Sequence, residues 1–561
     1  MKKMKILSLI LCSVVVSVSL AGCGGGTAAS NTTSGSANAS STMDKTPITF
    51  TIYSTDATTD MPFTDPVAKE ITKLTGVTLK FEHAVAGDTQ AVPLMIASGQ
   101  YPDLIYAKGD TGKLVDAGAL VKLNSYIDKE GNYLKALYGN QIKKLDYSTT
   151  DSSIYTVGTN GVTNSIFQPD GTMQIQMAAL KDLGYPKINS LDEYEKAIKD
   201  YVAKYPTING QKTIGLSLMA SDWRWLIDVG NVAGMVAGIP NDGQFDVNDT
   251  TGKTTYKFEE PKVEQYFKWL NKMNAEGLLD PESFTQKEDT YKAKIASGRV
   301  VGLTDSNWDY STAITQLKNA GMSDRAYAPL SVTLGSQYTD QTLKNYGFSG
   351  GWGVGITTSC KNPERAFQFL NWLASDQAQV LLNWGIEGKD YTVVNGKRVQ
   401  TASFIQKKNT DPNVAVDTGV GEYVYPFPER GVGAIDPTGN SYSTTTLANI
   451  VSNYTADEKA TLKAYGKTNW TEFFPSEKSL GAPPVHGQVW EYTIPSDSDA
   501  AIIEKKCDDY TQEAITKAIL GSPANFDSAW ATIESTLKSY QVAKLDADMT
   551  AMTKARIKAY K

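Results

Sequence analysis

The alternation of predicted strands and helices near the start of the folded region constrains the fold of this 561-residue chain most strongly. Residues 48–53 (ITFTIY), 77–81 (VTLKF) and 103–106 (DLIY) have the β-branched or alternating composition of strands. Helices are predicted between them, at residues 66–75 and about 90–98, because Pro suits a first turn and Gly follows a last one. This βαβαβ order predicts a parallel sheet whose ligands lie beyond the carboxyl ends of its strands.

The remainder of the chain continues this α/β pattern. Residues 299–303 and 353–356 are predicted strands, and residues 261–275 form a predicted helix with one apolar face. Either Thr64 or Asp65 is expected to cap the first helix. A folded region of this length exceeds the size at which one hydrophobic core stops growing, so the sequence predicts two or more lobes.

Residues 1–22 predict an export signal. A basic start is followed by an uncharged run over 6–20 and by a lipobox (LAGC) that ends at Cys23. The alternative, a membrane-spanning helix, is disfavoured because a run of about 15 residues is shorter than the roughly 20 that a bilayer requires. Cys23 is therefore the predicted lipidation site, and residues 23–46, rich in Gly, Ser and Thr, a flexible tether. The mature protein is expected outside the cytoplasmic membrane, anchored to the bacterial cell membrane by acyl chains such as palmitate.

Composition narrows the classes of partner. A net charge of -7, dispersed along the chain, argues against nucleic-acid binding. Of the four cysteines, Cys12 lies in the predicted signal and Cys23 is the predicted lipidation site, which leaves Cys360 and Cys507 either as a disulfide or as two buried thiols. The 10 Trp, 29 Tyr and 16 Phe residues suit ligands with an apolar face and a hydroxyl rim, as sugars have.

Several segments carry a family resemblance. They are 95–106 (MIASGQYPDLIY), 276–282 (EGLLDPE), 295–299 (IASGR), 351–355 (GWGVG), and a stretch over 362–393 that contains NPE, FLNWLASDQA, NWG and YTV. Together with the lipobox they resemble bacterial extracellular solute-binding lipoproteins of family 1, which serve oligosaccharide ABC importers. The resemblance implies an α/β, two-lobe, periplasmic-binding-protein-like fold with a central ligand cleft and a hinge. It also implies that the chain is not an enzyme, because a separate subunit hydrolyses ATP.

The resemblance divides the chain approximately into two discontinuous lobes. Lobe 1 is expected to contain residues 47–160 and 358–400, and lobe 2 residues 161–357 and 401–561. Two or three connecting segments would then form a hinge, and a ligand held by both lobes would favour the closed state. The expected partners are a small-molecule or oligosaccharide ligand and the permease subunits of an importer, with the protein acting as a monomer.

Candidate ligand-binding residues lie in loops that follow predicted strands or in polar, aromatic segments. Carboxylates accept hydrogen bonds from sugar hydroxyls, arginine donates them, and indole rings cover apolar ring faces. The candidates are Asp56, Asp110, Trp223, Arg224, Asp305, Trp308 and Trp352. Further candidates are Lys108, Tyr425, Phe427, Trp490 and Tyr492. Solvated turns and core packing are the alternative interpretations of each. Trp352 lies between glycines near the expected crossing of the lobes, which makes it the strongest single choice.

No cofactor or metal is expected. Some relatives carry a calcium loop, and the corresponding residues 205–214 here retain Asn209 and Gly210 but contain no carboxylate. Residues 246–252 contain two aspartates but suit a β-hairpin better than a calcium loop.

An exported hydrolase and a sensor or adhesin are the alternative functional classes. Residues 347–351 match G-x-S-x-G, with His486 downstream, but an apparent strand follows the serine where a hydrolase has a helix. An exported glycoside hydrolase needs only two carboxylates, which the composition cannot exclude. A lipoprotein sensor or adhesin on the same fold is the remaining alternative to an importer receptor.

Overall fold

The computed structural model describes residues 44–56, 61–83 and 90–561. The predicted signal peptide, the predicted lipidation site Cys23 and the predicted tether as far as residue 43 lie outside the described residues. The strands, in chain order, are β1 Ile48–Ser54, β2 Val77–His83, β3 Leu104–Tyr106, β4 Thr156–Gly158, β5 Met173–Gln176, β6 Thr207–Ile208, β7 Gln211–Lys212, β8 Ile214–Leu216, β9 Phe245–Val247, β10 Thr254–Tyr256, β11 Val300–Leu303, β12 Tyr327–Leu330, β13 Gly353–Ile356, β14 Tyr391–Val394 and β15 Lys397–Gln400.

The α-helices alternate with these strands and dominate the C-terminal part of the chain. They are α1 Pro66–Thr75, α2 Ala91–Ser98, α3 Thr111–Asp116, α4 Asn124–Glu130, α5 Asn132–Tyr138, α6 Met177–Asp182, α7 Leu191–Lys204, α8 Val232–Val236, α9 Pro261–Ala275, α10 Glu288–Ala296, α11 Asn307–Asn319, α12 Pro363–Leu373, α13 Asp376–Trp384, α14 Ala402–Thr410, α15 Val414–Thr418, α16 Leu447–Ser452, α17 Ala456–Ala464, α18 Glu477–Leu480, α19 Asp499–Leu520, α20 Phe526–Ser539 and α21 Val542–Tyr560.

The first sheet contains the predicted βαβαβ unit and has the strand order β2-β1-β3-β13-β4. Strand β1 pairs in parallel with both β2 and β3, which confirms that prediction. Asp65 is the residue that caps α1, since its side chain accepts a hydrogen bond from the backbone N–H of Ala68 at 2.9 Å. Gly76 ends α1 with φ 73°, a left-handed conformation that favours glycine. These local signals place the carboxyl ends of β1 and β3 side by side.

The second sheet has the strand order β12-β5-β11-β8. Strand β11 is parallel to β8 and antiparallel to β5, which also pairs antiparallel with β12. The neighbouring residues Val300 and Val301 of β11 enter different cores, Val301 the larger one and Val300 the smaller one. The sheet is therefore covered by packed side chains on both faces, as its nearly continuous apolar strands require.

The chain passes between the two sheets three times within the described residues. The first two passages join β4 to β5 and β12 to β13. The third follows Tyr442, whose hydroxyl donates to Asp376 of α13 at 2.5 Å, and precedes α16, whose Ile450 packs on the core of the second sheet. We call the parts around the first and second sheets lobe 1 and lobe 2. Three connections between two lobes are the arrangement expected of a hinge.

Two parts of the predicted lobe boundaries differ from the observed contacts. The predicted boundary places strand β13 in lobe 2. In the structure, β13 pairs with both β3 and β4 of the first sheet, so both of its edges form hydrogen bonds there. Residues beyond 400, assigned to lobe 2, also contact lobe 1, since the hydroxyl of Tyr423 donates to Asp65. The observed boundary differs from the predicted one because the sequence pattern identifies a strand but not the sheet that the strand joins.

The C-terminal helices complete lobe 2. Helix α19 packs against α9, α20 and α21, and α21 packs against β10. Phe526, Trp530, Ile533 and Leu537 of α20 are buried, as their helical spacing predicted. Both Cys360 and Cys507 are buried free thiols, which decides between the two alternatives that the sequence left open. Among the described residues, no helix is both long and apolar enough to cross a bilayer.

Candidate functional site

The loops after β1 and β3 bring an ion pair to the edge of lobe 1. Asp56 follows β1, and Lys108 begins the short 3-10 turn after β3. The Lys108 Nζ atom lies 2.5 Å from Asp56 Oδ1, with both side chains about one-third exposed or less. Lys108 has φ 49°, a left-handed conformation that costs a non-glycine residue about 1 kcal/mol. The parallel pairing of β1 and β3 therefore positions the carboxylate and the ammonium together, as the sequence predicted for this edge.

Two tyrosines extend this ion pair. The Tyr425 hydroxyl donates to Asp56 Oδ2 and shares a second hydrogen bond, 2.5 Å long, with the Tyr106 hydroxyl. Burial raises the pKa of both phenols above the usual value, so both remain neutral and able to donate at physiological pH. Tyr425 is 44% exposed, so one edge of its ring remains accessible to a ligand.

Lobe 2 contributes a pair of exposed indoles. Trp223 and Trp308 are 57% and 55% exposed, although large aromatic side chains are normally buried. Their rings are nearly parallel, with an interplanar angle of 6° and centroids 6.2 Å apart. Trp308 lies in the first turn of α11, just after β11, where the sequence predicted a ligand-facing loop. The two rings form an exposed aromatic surface that no core packing requires.

Lys108 connects lobe 1 to this aromatic surface. Its Nζ atom lies 5.9 Å from the centroid of the Trp223 ring and 5.2 Å from that of Trp352. These distances permit cation–π attraction. We define the cleft cluster as Asp56, Lys108, Trp223, Trp308 and Trp352. It joins side chains from lobe 1, lobe 2 and the segment that connects β12 to β13.

Trp352 lies where connecting segments meet. Its ring contacts that of Trp490 edge to face, with centroids 4.6 Å apart. The adjacent Glu491 is buried and accepts a hydrogen bond from Asn160 Nδ2 at 2.6 Å, and burial raises the pKa of Glu491 to about 7. A Cβ atom on Gly351 would lie 1.7 Å from the Glu491 carbonyl oxygen, so only glycine fits there. The cleft cluster is thus attached to the segments that any hinge motion must move.

Arg224 was expected to contact ligand, but ion pairs cover most of its side chain. Its side chain is only 11% exposed and forms ion pairs with Asp222 at 2.7 Å, Glu288 at 2.5 Å and Asp309 at 2.9 Å. Burial alone would lower the pKa of Arg224, but the charges of Asp309, Asp222 and Glu288 raise it. Its guanidinium carbon lies 4.8 Å from the centroid of the Trp223 ring. Arg224 therefore supports the indole pair and presents almost no surface to a ligand.

Asp305 was also expected on the surface of a ligand-facing loop, but it lies in the interior. It is fully buried, and its Oδ1 atom accepts a hydrogen bond from the backbone N–H of Ser306 at 2.7 Å. Burial raises the pKa of Asp305 and of the buried Asp228 beside it, which keeps a proton between the two carboxyl groups. The direct contact of Asp305 with ligand stays a prediction, and in this structure its carboxyl group is covered.

The remaining candidates divide between the surface and the core. Asp110 pairs with Lys113 at 2.6 Å, one turn along the same helical segment. Its role in binding stays a prediction. Phe427 and Tyr492 are buried, which suits core packing.

Sequence reasoning missed the carboxylates that hold Arg224. Asp309 is 4% exposed and follows Trp308 directly, just as Arg224 follows Trp223. An ion pair of 2.9 Å between Arg224 and Asp309 therefore links the two chain segments that carry the indoles. The available signal was Asp309 itself, which lies in the first turn of α11, where an acidic residue normally indicates only a favourable interaction with the helix dipole.

The match to a hydrolase motif has no catalytic geometry. Ser349 is 1% exposed, and its Oγ atom accepts a hydrogen bond from the backbone N–H of Gln488 at 2.8 Å. Strand β13 follows the motif, where a nucleophile elbow requires a helix. His486 is fully buried, with its Nε2 atom 3.4 Å from Asp249.

Both segments compared with a calcium loop form hairpins. Strands β6 and β7 are joined by Asn209 and Gly210, with φ 51° and 74°, as a tight two-residue turn requires. Strands β9 and β10 also pair antiparallel. No group of three or more His, Cys, Asp or Glu side chains in the described part of the chain could hold a metal ion.

Comparison with known proteins identifies the family through one family model. A family model described as bacterial extracellular solute-binding protein matches residues 67–385, more than half of the chain. Lipoprotein LipO of Bacillus subtilis is 23% identical over 344 residues, which cover 59% of this chain and 65% of LipO. The chain thus matches slightly less than two thirds of the length of that relative.

Solved structures share the fold over nearly their whole length. An alginate-binding protein, AlgQ2, solved without calcium ion, has a TM-score of 0.66 at 18% identity and covers 92% of this chain and 99% of its own. A solute-binding protein of Bifidobacterium longum infantis described as binding HMO has a TM-score of 0.64 at 15% identity, covering 92% and 100%. FusA of S. pneumoniae, in complex with kestose, has a TM-score of 0.64 at 18% identity, covering 90% and 99%. The chain has the two-lobe α/β fold of these proteins and belongs to the bacterial extracellular solute-binding protein family.

Proposed function

We propose that the protein is the receptor of an ABC importer and captures an oligosaccharide between its lobes. The observation that carries this proposal is the exposed, parallel pair Trp223 and Trp308 beside the Lys108–Asp56 ion pair of the opposite lobe. Indole faces bind the apolar face of a sugar ring, while the ion pair offers both donors and acceptors to hydroxyl groups. A ligand held by groups of both lobes favours the closed state, which a permease can recognise.

Relatives support the class of ligand. The solved structures with this fold include proteins described as binding alginate, HMO and, in one complex, kestose. The proposal extends only this shared class to the present chain. It assigns no catalytic step to the protein.

The binding test uses the purified full-length protein with a panel of neutral and acidic oligosaccharides. A ligand at about a hundred times its Kd stabilises the folded state by about 2.7 kcal/mol, which raises the thermal unfolding midpoint. We expect a selective rise with one glycan series, and chromatography should recover that glycan intact. No rise with any glycan, or cleavage of the bound glycan, would contradict the proposal.

A matched pair of variants localises the site. Trp308→Ala should reduce the midpoint rise by about half or more, because a tenfold weaker Kd lowers the stabilisation from about 2.7 to about 1.4 kcal/mol. Tyr133→Ala, which removes an aromatic ring of similar exposure (40%) from α5, should retain the full rise. Equal loss in both variants would show that the effect is not specific to the cleft cluster.

We also propose that Cys23 carries a lipid anchor, which holds the monomeric receptor close to the permease in the membrane. The family is extracellular, and LipO is a lipoprotein, in keeping with the lipobox that ends at Cys23. Cys23→Ser should move the protein from the membrane fraction to the medium of the producing cells. Retention of that variant in the membrane fraction would contradict thioether anchoring at this position.

A further inference from the structure

We infer that the cleft selects a neutral oligosaccharide and rejects its uronate counterpart. The inference rests on the proposed function and specifies the ligand class of the same site. It is carried by the charge balance around the cleft cluster, where each cation among the described residues that contacts the indoles is already paired with carboxylates.

Lys108 of lobe 1 lies near the Trp223 and Trp352 rings, and its charge is compensated. Its ammonium lies 2.5 Å from Asp56, and the two side chains are 27% and 33% exposed. The Tyr425 hydroxyl donates to the same carboxylate. An incoming carboxylate would have to replace Asp56 at the ammonium or approach it against the charge of Asp56. A hydroxyl group meets neither obstacle, because it can accept from Lys108 and donate to Asp56 at once.

Arg224 is the other cation in contact with the indoles, and it is still less available. Its three carboxylate partners are Asp222, Glu288 and Asp309, and its side chain is 11% exposed. Lys292 adds one more positive charge, but it pairs with Glu288 at the far side of that carboxylate. Within residues 44–56, 61–83 and 90–561, three cations (Lys108, Arg224 and Lys292) therefore pair with four carboxylates (Asp56, Asp222, Glu288 and Asp309) around the indole pair. The local balance is acidic, so it repels rather than attracts an anionic sugar.

The consequence for affinity follows from the physics of charge burial. A carboxylate that enters the closed cleft loses its hydration and gains no unpaired cation from the described residues of the cleft cluster in return. A like charge placed beside Asp56 costs further free energy. We expect a uronate to bind about tenfold or more weakly than the neutral sugar of the same linkage. The fold shared with an alginate-binding protein does not oppose this, since 18% identity leaves the lining residues free to differ.

The test is isothermal titration of the full-length protein with matched tetrasaccharides. The panel pairs 1,4-linked manno-, galacto- and gluco-tetraoses with the tetra-uronates of the same linkage. The expected result is that one neutral tetraose binds about tenfold or more tightly than its uronate. A uronate that binds as tightly as its neutral partner would overturn the inference while leaving the oligosaccharide receptor intact. Absence of binding by every member would overturn both.

Two carboxylate variants test the mechanism itself. Asp56→Asn leaves the Lys108 ammonium unpaired, so it should reduce the preference for the neutral tetraose by about tenfold. Asp527→Asn is the control, because it removes a carboxylate from an exposed ion pair with Lys268 on lobe 2. An unchanged preference in Asp56→Asn would refute the compensation argument even if the neutral sugar is the better ligand.

Discussion

Replacement of Arg224 by methionine is the sharpest test of how the indole pair is held. Methionine retains an unbranched side chain over Trp223 but removes the charge that pairs with Asp309. Asp309 is 4% exposed, so it would be left as a buried carboxylate that has lost its guanidinium partner. Loss of one partner of a buried ion pair costs about 3–5 kcal/mol. The other two partners, Asp222 and Glu288, are more than one-third exposed and add little.

The destabilisation should depend on pH in a defined direction. Burial raises the pKa of Asp309, and the charge of Arg224 opposes that rise. Without Arg224 the pKa of Asp309 in the folded state should increase further above its unfolded value of about 3.9. The folded state then binds more protons than the unfolded state between these two pKa values, so stability falls as pH rises through that window. We expect a loss of about 3 kcal/mol at pH 8 and about 1 kcal/mol at pH 5.

Urea unfolding at the two pH values, followed by tryptophan fluorescence, measures this difference. Near-ultraviolet circular dichroism reports whether the nearly parallel arrangement of Trp223 and Trp308 persists in the folded variant. The double variant Arg224→Met/Asp309→Asn should recover most of the loss at pH 8, because no buried charge remains. A loss below 1 kcal/mol at pH 8, or an equal loss at both pH values, would refute the reasoning. Lys268→Met, at an exposed ion pair, should change stability by less than about 0.5 kcal/mol.

Three further predictions address the cleft and the hinge. Trp308→Ala should weaken glycan binding by about tenfold or more, because truncation of an aromatic anchor costs about 2 kcal/mol, and titration calorimetry would show it. Glu491→Gln should stabilise the protein by about 3 kcal/mol at pH 8 and by much less at pH 5. The reason is that burial raises the pKa of Glu491 to about 7, so ionisation above that pH destabilises the folded state. Equal unfolding free energies of variant and wild type at pH 8 would contradict this. Gly351→Ala should destabilise the protein by more than about 2 kcal/mol in urea unfolding, because its Cβ atom would lie 1.7 Å from a backbone oxygen. Gly234→Ala is the control and should be nearly neutral, because its Cβ atom would have its nearest new contact at 3.5 Å.

Local patterns in the sequence were enough to predict the elements that frame the site. The alternation over residues 48–106 predicted β1, α1, β2, α2 and β3, and helix α9 has the bounds that its apolar spacing indicated. Such signals depend on neighbours within one or two turns, so they survive without knowledge of the fold. The loops after β1 and β3 could be assigned to a ligand because parallel strands end at the same edge.

The same reasoning could not assign individual side chains to surface or interior. Arg224 and Asp305 share the loop chemistry of Trp223 and Trp308, yet the Arg224 side chain is only 11% exposed and Asp305 is buried, whereas both indoles are exposed. Periodicity shows that one face of an element is apolar, but it does not show which charged residues of other elements will cover a loop. A buried arginine requires carboxylate partners, and its partners Glu288 and Asp309 come from different helices.

The sequence by itself determined the succession of strands and helices, the family and the edge of the sheet where a ligand binds in such folds. Only the tertiary structure decided that β13 joins the first sheet, that Lys108 is compensated by Asp56, and that Tyr425 completes the pair from 369 residues away. The physical reason is that hydrogen bonds and ion pairs act over a few ångströms in space. Their partners are set by how the chain crosses between lobes, which local sequence patterns do not encode.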